Sequence, residues 1–363
     1  MKTAAKNFTR WLLVPIALAA LLMVREATRA QDSSQKTQLS ASDIVQLAER
    51  VRSPSAGDNI LDRAFQVGTD LMREGRWAEG AQLFVALSEK LPNDSTILYC
   101  AALTSFNSGR VVEAEQLINR AVETVLAKMK KEPNSSEIKH RAADALVLQA
   151  VVLANRKNDN AALESARSAV NLAPDSFDAQ FALGRALFGT GDTAGATRAF
   201  QTAVSLRPTD LRALFFLATA RERSGDDAGA LEAYRELIAK EPRSAEGHLG
   251  LGVLLVKLGG NNQTEGIVEL ERCVAIEPNN YEARVTLGRV LVSKGRAADA
   301  IQHLRVAANL APNNPEPHYQ LSLAYRKLGR KDDAEAESAI VKRIHELRRG
   351  APEPNATATP EMR

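Results

Sequence analysis

Punctuation at a fixed interval constrains this chain more than any other feature. Pro174, Pro208 and Pro242 stand 34 residues apart, with Pro278 and Pro312 beyond them and Pro92 and Pro133 upstream. Glycines keep the same step: Gly75 and Gly109, then Gly191, Gly225 and Gly259, then Gly295 and Gly329. Self-similarity at such a period is the signature of a stacked repeat rather than of a single globular core.

Between each Gly and the next Pro, apolar residues recur at helical spacing, as in Ala196, Ala199, Phe200 and Ala203, or Ala230, Leu231, Tyr234 and Leu237. Another helical pattern precedes each Gly. Each unit is therefore two short helices joined at a Gly turn, and Pro ends the second because it lacks the donor that would continue the backbone bonding. One such hairpin cannot bury its own apolar face, so hairpins must stack. The low aromatic content, 5%, against 45% apolar residues fits packed helices better than a sheet protein rich in Val, Tyr and Thr.

The segment 177–210 carries Leu183-Gly184, Leu187, Gly191-Asp192, Ala196, Phe200, Ala203 and Pro208, and so resembles the tetratricopeptide-repeat (TPR) family position by position. The resemblance implies an all-α, right-handed superhelical solenoid of about eight helix-turn-helix repeats, beginning near 61, 95, 143, 177, 211, 245, 281 and 315 and occupying residues 60–349. Physical reasons accompany the pattern. Gly184, Ala218, Gly252 and Gly288 fall where two helices touch, as do Ala196, Ala230, Gly266, Ala300 and Ala334, and a larger side chain would hold the helices apart.

Departures are local. Leu126 replaces an expected proline, Lys157 an expected turn glycine, Ser322 a small residue, and the turn at 259–262 has two extra residues. Residues 127–142 lengthen two consecutive helices into a projecting hairpin with Pro133 at its tip and Asn134 as N-cap. Its Lys128, Lys130, Lys131, Lys139 and Arg141 allow either a docking surface or a solvated extension. Residues 31–59 form a linker with a possible short helix at 42–51, and 350–363 a disordered tail.

Residues 1–30 have the order of a signal peptide: Lys2, Lys6 and Arg10, an apolar run from Trp11 to Val24, then Thr28 and Ala30 at cleavage-site spacing. Cleavage would leave a mature chain starting at Gln31, periplasmic or secreted. An uncleaved segment would leave the chain membrane-anchored, facing outside the cytoplasm. The segment carries +4 of the formal +3, so the remainder is near −1 and nucleic acid is excluded as a partner. Cys100 and Cys273 lie four repeats apart, beyond disulfide reach, and are expected as small buried residues.

No constellation for chemistry stands out. His140, His248, His303, His318 and His345 lack metal-ligand spacing, although His248 and His318 share a repeat position. Gly250-Leu251-Gly252 has no third glycine and no preceding strand, so it is not a dinucleotide loop. The expectation is a chain without catalytic residues, metal or cofactor.

What remains is surface. The resemblance places the first helix of each unit on the concave side, and that face is apolar. Its candidate groove residues are Tyr99, Phe106, Phe181, Arg185, Phe188, Phe215, Leu249, Val253, Val256, Val285, Arg289, Tyr319 and Arg326, with Phe181, Phe188 and Phe215 expected as one continuous floor. The second position of successive units, Asp144, Asp178, Arg212, Glu246, Glu282 and Glu316, forms a mostly acidic rim. Arg223, Lys257, Arg326 and Lys327 lie at the other end. This predicts a non-catalytic protein-protein interaction scaffold or adaptor of the cell envelope, holding a protein or peptide partner in the groove. The second reading is an accessory subunit of a secretion or polysaccharide-export machine.

Overall fold

The computed structural model describes residues 39–350, and the signal segment, the start of the linker and the tail lie outside them. Among the described residues there are 17 helices and no strands. They are α1 (Ala41–Arg52), α2 (Asp58–Arg73), α3 (Trp77–Lys90), α4 (Ser95–Asn107), α5 (Val111–Lys131), α6 (Ser136–Asn155), α7 (Asp159–Leu172), α8 (Phe177–Thr190) and α9 (Thr193–Leu206). They continue with α10 (Leu211–Ser224), α11 (Asp227–Lys240), α12 (Ala245–Leu258), α13 (Asn262–Ile276), α14 (Tyr281–Ser293), α15 (Ala297–Leu310), α16 (Pro315–Lys327) and α17 (Lys331–Gly350). The chain divides into two compact units, one ending at Ser224 and one starting at Gly225.

Local chemistry sets the boundaries. The turn glycines adopt positive φ, from 72° at Gly75 to 89° at Gly191, a region that costs a residue with a Cβ about 1–2 kcal/mol. Lys157 alone among the described non-glycine residues shares it, at φ 65°, where the repeat has lost its glycine. Two residues after each proline a short polar side chain caps the next first helix: Asp94, Ser135, Ser176, Ser244, Asn280 and Asn314 each accept a backbone N–H. The long hairpin obeys the same rule. Its cap is Ser135, accepting from Ile138 N at 3.3 Å, and not the expected Asn134, because the turn from Pro133 ends one residue later.

Hairpins close on the small residues. A Cβ on Gly184 would stand 2.6 Å from the Phe200 ring, and one on Gly252 would stand 2.8 Å from Leu270 and 3.1 Å from the Gly266 carbonyl. The core thus admits no side chain at these seams. Phe200 is fully buried, with Phe181 at 5.7 Å and Phe216 at 5.5 Å between ring centroids. Where the proline is lost at Leu126, α5 runs on to 21 residues, and α6 answers with 20. The segment expected as a possible short helix within a linker, α1, instead buries Ile44, Leu47, Ala48 and Val51 in the core of the first unit. Both cysteines are free and buried, and burial pushes each thiol up to about 12.

Candidate functional site: the first-helix face

First helices carry an apolar or aromatic residue at their fifth register position in every pair from α4 onward: Tyr99, Val147, Phe181, Phe215, Leu249, Val285 and Tyr319. Their surroundings differ. Tyr99, Val147 and Val285 are buried, Phe181, Phe215 and Leu249 are half-buried, and Tyr319 is 50% exposed.

The remaining expected groove residues separate in the same way. Phe106 and Phe188 are buried, so with Tyr99 and Val285 they belong to the packing rather than to an open floor. Phe188 lies under a guanidinium, with Arg223 Cζ 4.4 Å from the ring centre. A continuous floor of Phe181, Phe188 and Phe215 therefore does not lie open to solvent. Phe181 sits in an aromatic group with Phe177 at 5.6 Å and Phe216 at 5.4 Å. Arg185 is half-buried, and desolvation, with Arg212 second, pulls its guanidinium down to about 10. Val253 and Val256 are half-buried in the second unit, whereas Arg289 and Arg326 are exposed.

The rim charges are largely spoken for. Arg212 donates to both oxygens of Asp210, at 2.9 and 2.5 Å, and stands 5.5 Å from the Phe181 ring centre. Asp178 meets Arg207 at 3.6 Å, yet burial still raises its carboxyl above the ordinary value. Lys257 reaches Asp227 at 3.3 Å, Arg326 donates to Ser338 at 3.2 Å, and Lys327 donates to the Val292 carbonyl at 2.7 Å. Asp144 differs: burial first and Asp178 second push its carboxyl from 3.8 up to about 6.

The shared position of His248 and His318 has a structural explanation. His248 Nδ1 is 2.5 Å from Glu269 and its Nε2 is 3.1 Å from the Pro242 carbonyl. His318 Nδ1 is 2.6 Å from Glu337 on the paired second helix. Gln180 and Arg284, at the same register, donate to the carbonyls of Pro174 and Pro278 at 2.8 and 2.5 Å. Gln180, His248 and Arg284 pin a first helix to the turn before it, whereas His318 ties its helix to the paired second helix; the position is visible in the sequence only as a recurring polar residue six places after the proline. Among the described residues no group of His, Cys, Asp and Glu could hold a metal, and no helix is long and apolar enough to cross a membrane.

Paired helices at a constant interval define a helical-repeat solenoid. Family models place it more narrowly. The tetratricopeptide repeat matches residues 181–245 and 217–263, a second TPR repeat model matches 288–329, and the model of the Chs5p-Arf1p-binding proteins matches 45–204. The chain is a tetratricopeptide-repeat protein. No curated protein matches it. Among solved structures, PilF of Pseudomonas aeruginosa is 17% identical, with a TM-score of 0.51 over 59% of this chain and 95% of its own. A MamA protein is 21% identical with a TM-score of 0.44, covering 50% of this chain and 98% of its own. YrrB, described as a TPR protein with an unusual peptide-binding site, is 20% identical with a TM-score of 0.43, covering 56% and 96%. These likenesses concern the fold. Proteins of this family bind protein or peptide partners and are generally non-catalytic, which makes this chain a protein-protein interaction scaffold.

Proposed function

We propose that the chain is a non-catalytic adaptor of the cell envelope that holds an extended or helical segment of a protein partner along its first helices. The recurrence of an apolar or aromatic side chain at the fifth position of those helices carries the reading, because folding alone does not require Tyr319 to leave half its surface in water. The arrangement of residues 1–30 supports export to the periplasm or beyond, with an uncleaved anchor as the other outcome.

Crosslinking in the native envelope followed by mass spectrometry tests the adaptor role. A discrete partner whose crosslinks fall on α12, α14 and α16 is expected, and Tyr319→Glu should remove it while leaving the circular dichroism melt unchanged. Crosslinks confined to second helices would overturn the assignment of the face. N-terminal sequencing separates a mature start at Gln31 from a retained Met1.

A further inference from the structure

Between α4 and α6, the first helices of adjacent hairpins, two polar groups are left without partners. Tyr99 is 5% exposed and its hydroxyl meets no hydrogen-bond partner. Together with Ser95, Thr96, Val125, Arg141 and Asp144 it lines a cavity of about 20 Å³. Among the described residues no donor or cation is bound to the Asp144 carboxylate; its neighbours are the Asp178 carboxylate and, more weakly, His140. Arg141 is held instead by Glu137 at 2.6 Å, one turn away. The nearness of Asp144 and Asp178 is felt at Tyr99, whose hydroxyl is raised well above its ordinary value by burial first, then by Asp144, the Cys100 thiol and Asp178.

A buried phenol without a partner is costly, and the half-buried Asp144 carboxylate beside it is partly desolvated with no opposite charge bound, so something that completes both would be favoured. The gap has room for a water-sized group, the smallest occupied cavities being roughly 10–15 Å³. Water supplies hydrogen bonds but no charge. An alkylammonium is of similar size, carries three donors and neutralises the carboxylate, whereas the planar guanidinium fork is larger.

We propose that this cavity receives the side-chain ammonium of a lysine on the protein partner, with Asp144 as its counter-charge and the Tyr99 hydroxyl, Ser95 and Thr96 as acceptors. The inference rests on the reading of the first helices as the partner-binding face and adds what that face selects. No other repeat from α4 onward joins a fifth-position tyrosine to an acidic second position in the next first helix: the corresponding pairs are Val147 and Asp178, Phe181 and Arg212, Phe215 and Glu246, Leu249 and Glu282, and Val285 and Glu316. Selectivity therefore resides at one point of the first unit.

The test is fluorescence anisotropy of the full chain with labelled decapeptide pools carrying one central lysine in a randomised Ala, Leu, Ser and Gly background, beside matched pools with acetyl-lysine, arginine or alanine there. The lysine pool should bind at least tenfold more tightly than each of the other three. Asp144→Asn and Tyr99→Phe should each erase most of that margin without lowering the melting temperature, which separates loss of the pocket from loss of the fold. Equal binding of all pools, or an undiminished margin in Asp144→Asn, overturns the lysine pocket while leaving the binding face intact. An arginine pool as tight as the lysine pool overturns the size argument and with it the proposal. A chain that binds none of the pools overturns both readings.

Discussion

The seam inside a hairpin and the seam between two first helices are built on opposite terms. Inside, at Gly184 and Phe200 or at Gly252 and Leu270, there is no room for one added carbon, and the side chains that meet are apolar. Between α4 and α6 the contact includes a small cavity, an unpartnered phenol and a desolvated carboxylate. Density of packing gives the first its stability. The second gives up stability for polar groups facing a gap, which is where a partner can add something folding has not supplied.

Substitutions should separate the two seams. Phe200→Glu puts an unpaired charge at a fully buried position and should cost at least ~4 kcal/mol, read as loss of the folded baseline in urea. Gly252→Leu should cost about 3 kcal/mol by overpacking against Leu270 and the Gly266 carbonyl. An unchanged denaturation midpoint would show that this seam yields, and the contrast would collapse.

The open seam should respond to pH. Because the Asp144 carboxyl is raised from 3.8 to about 6, the folded chain keeps a proton that the unfolded chain releases, so stability falls as pH rises through that window. Asp144→Asn should flatten the decline and gain no more than about 3 kcal/mol at pH 7, at about 1.4 kcal/mol per pKa unit. Identical slopes for parent and variant between pH 4 and pH 7 would place the charge in water. Tyr99→Phe removes a buried hydroxyl that has no partner and should stabilise by about 1 kcal/mol, the reverse of what deleting a satisfied group does.

Lys157→Gly lies outside both seams and serves as the baseline. It relieves a left-handed lysine at the expense of chain entropy, for a net gain of about 0.5 kcal/mol in thermal unfolding.

Much of this was legible before any coordinates. The prolines and glycines announce the hairpins, and the small residues at Gly184, Gly252 and Gly288 announce the close seams, because these features act over a few residues and have one physical reading each. The groove was only half legible. Helical register places Tyr99, Phe181, Phe188 and Phe215 on first helices, but it does not say how deeply each one lies. Phe188 is covered by Arg223 from the next first helix, 35 residues on, and Phe181 by rings from its neighbours.

Sequence by itself thus determined what repeats: the period, the turns and the identity of the small residues, all consequences of backbone chemistry within one hairpin. Only the tertiary structure decided which apolar residues are core and which are surface, that α1 belongs to the first unit, and that Tyr99 and Asp144 are left unpartnered around one cavity. Burial depends on what the neighbouring hairpin lays over a side chain, and a partner's absence is a property of two helices brought together, so neither is encoded in any single stretch of residues.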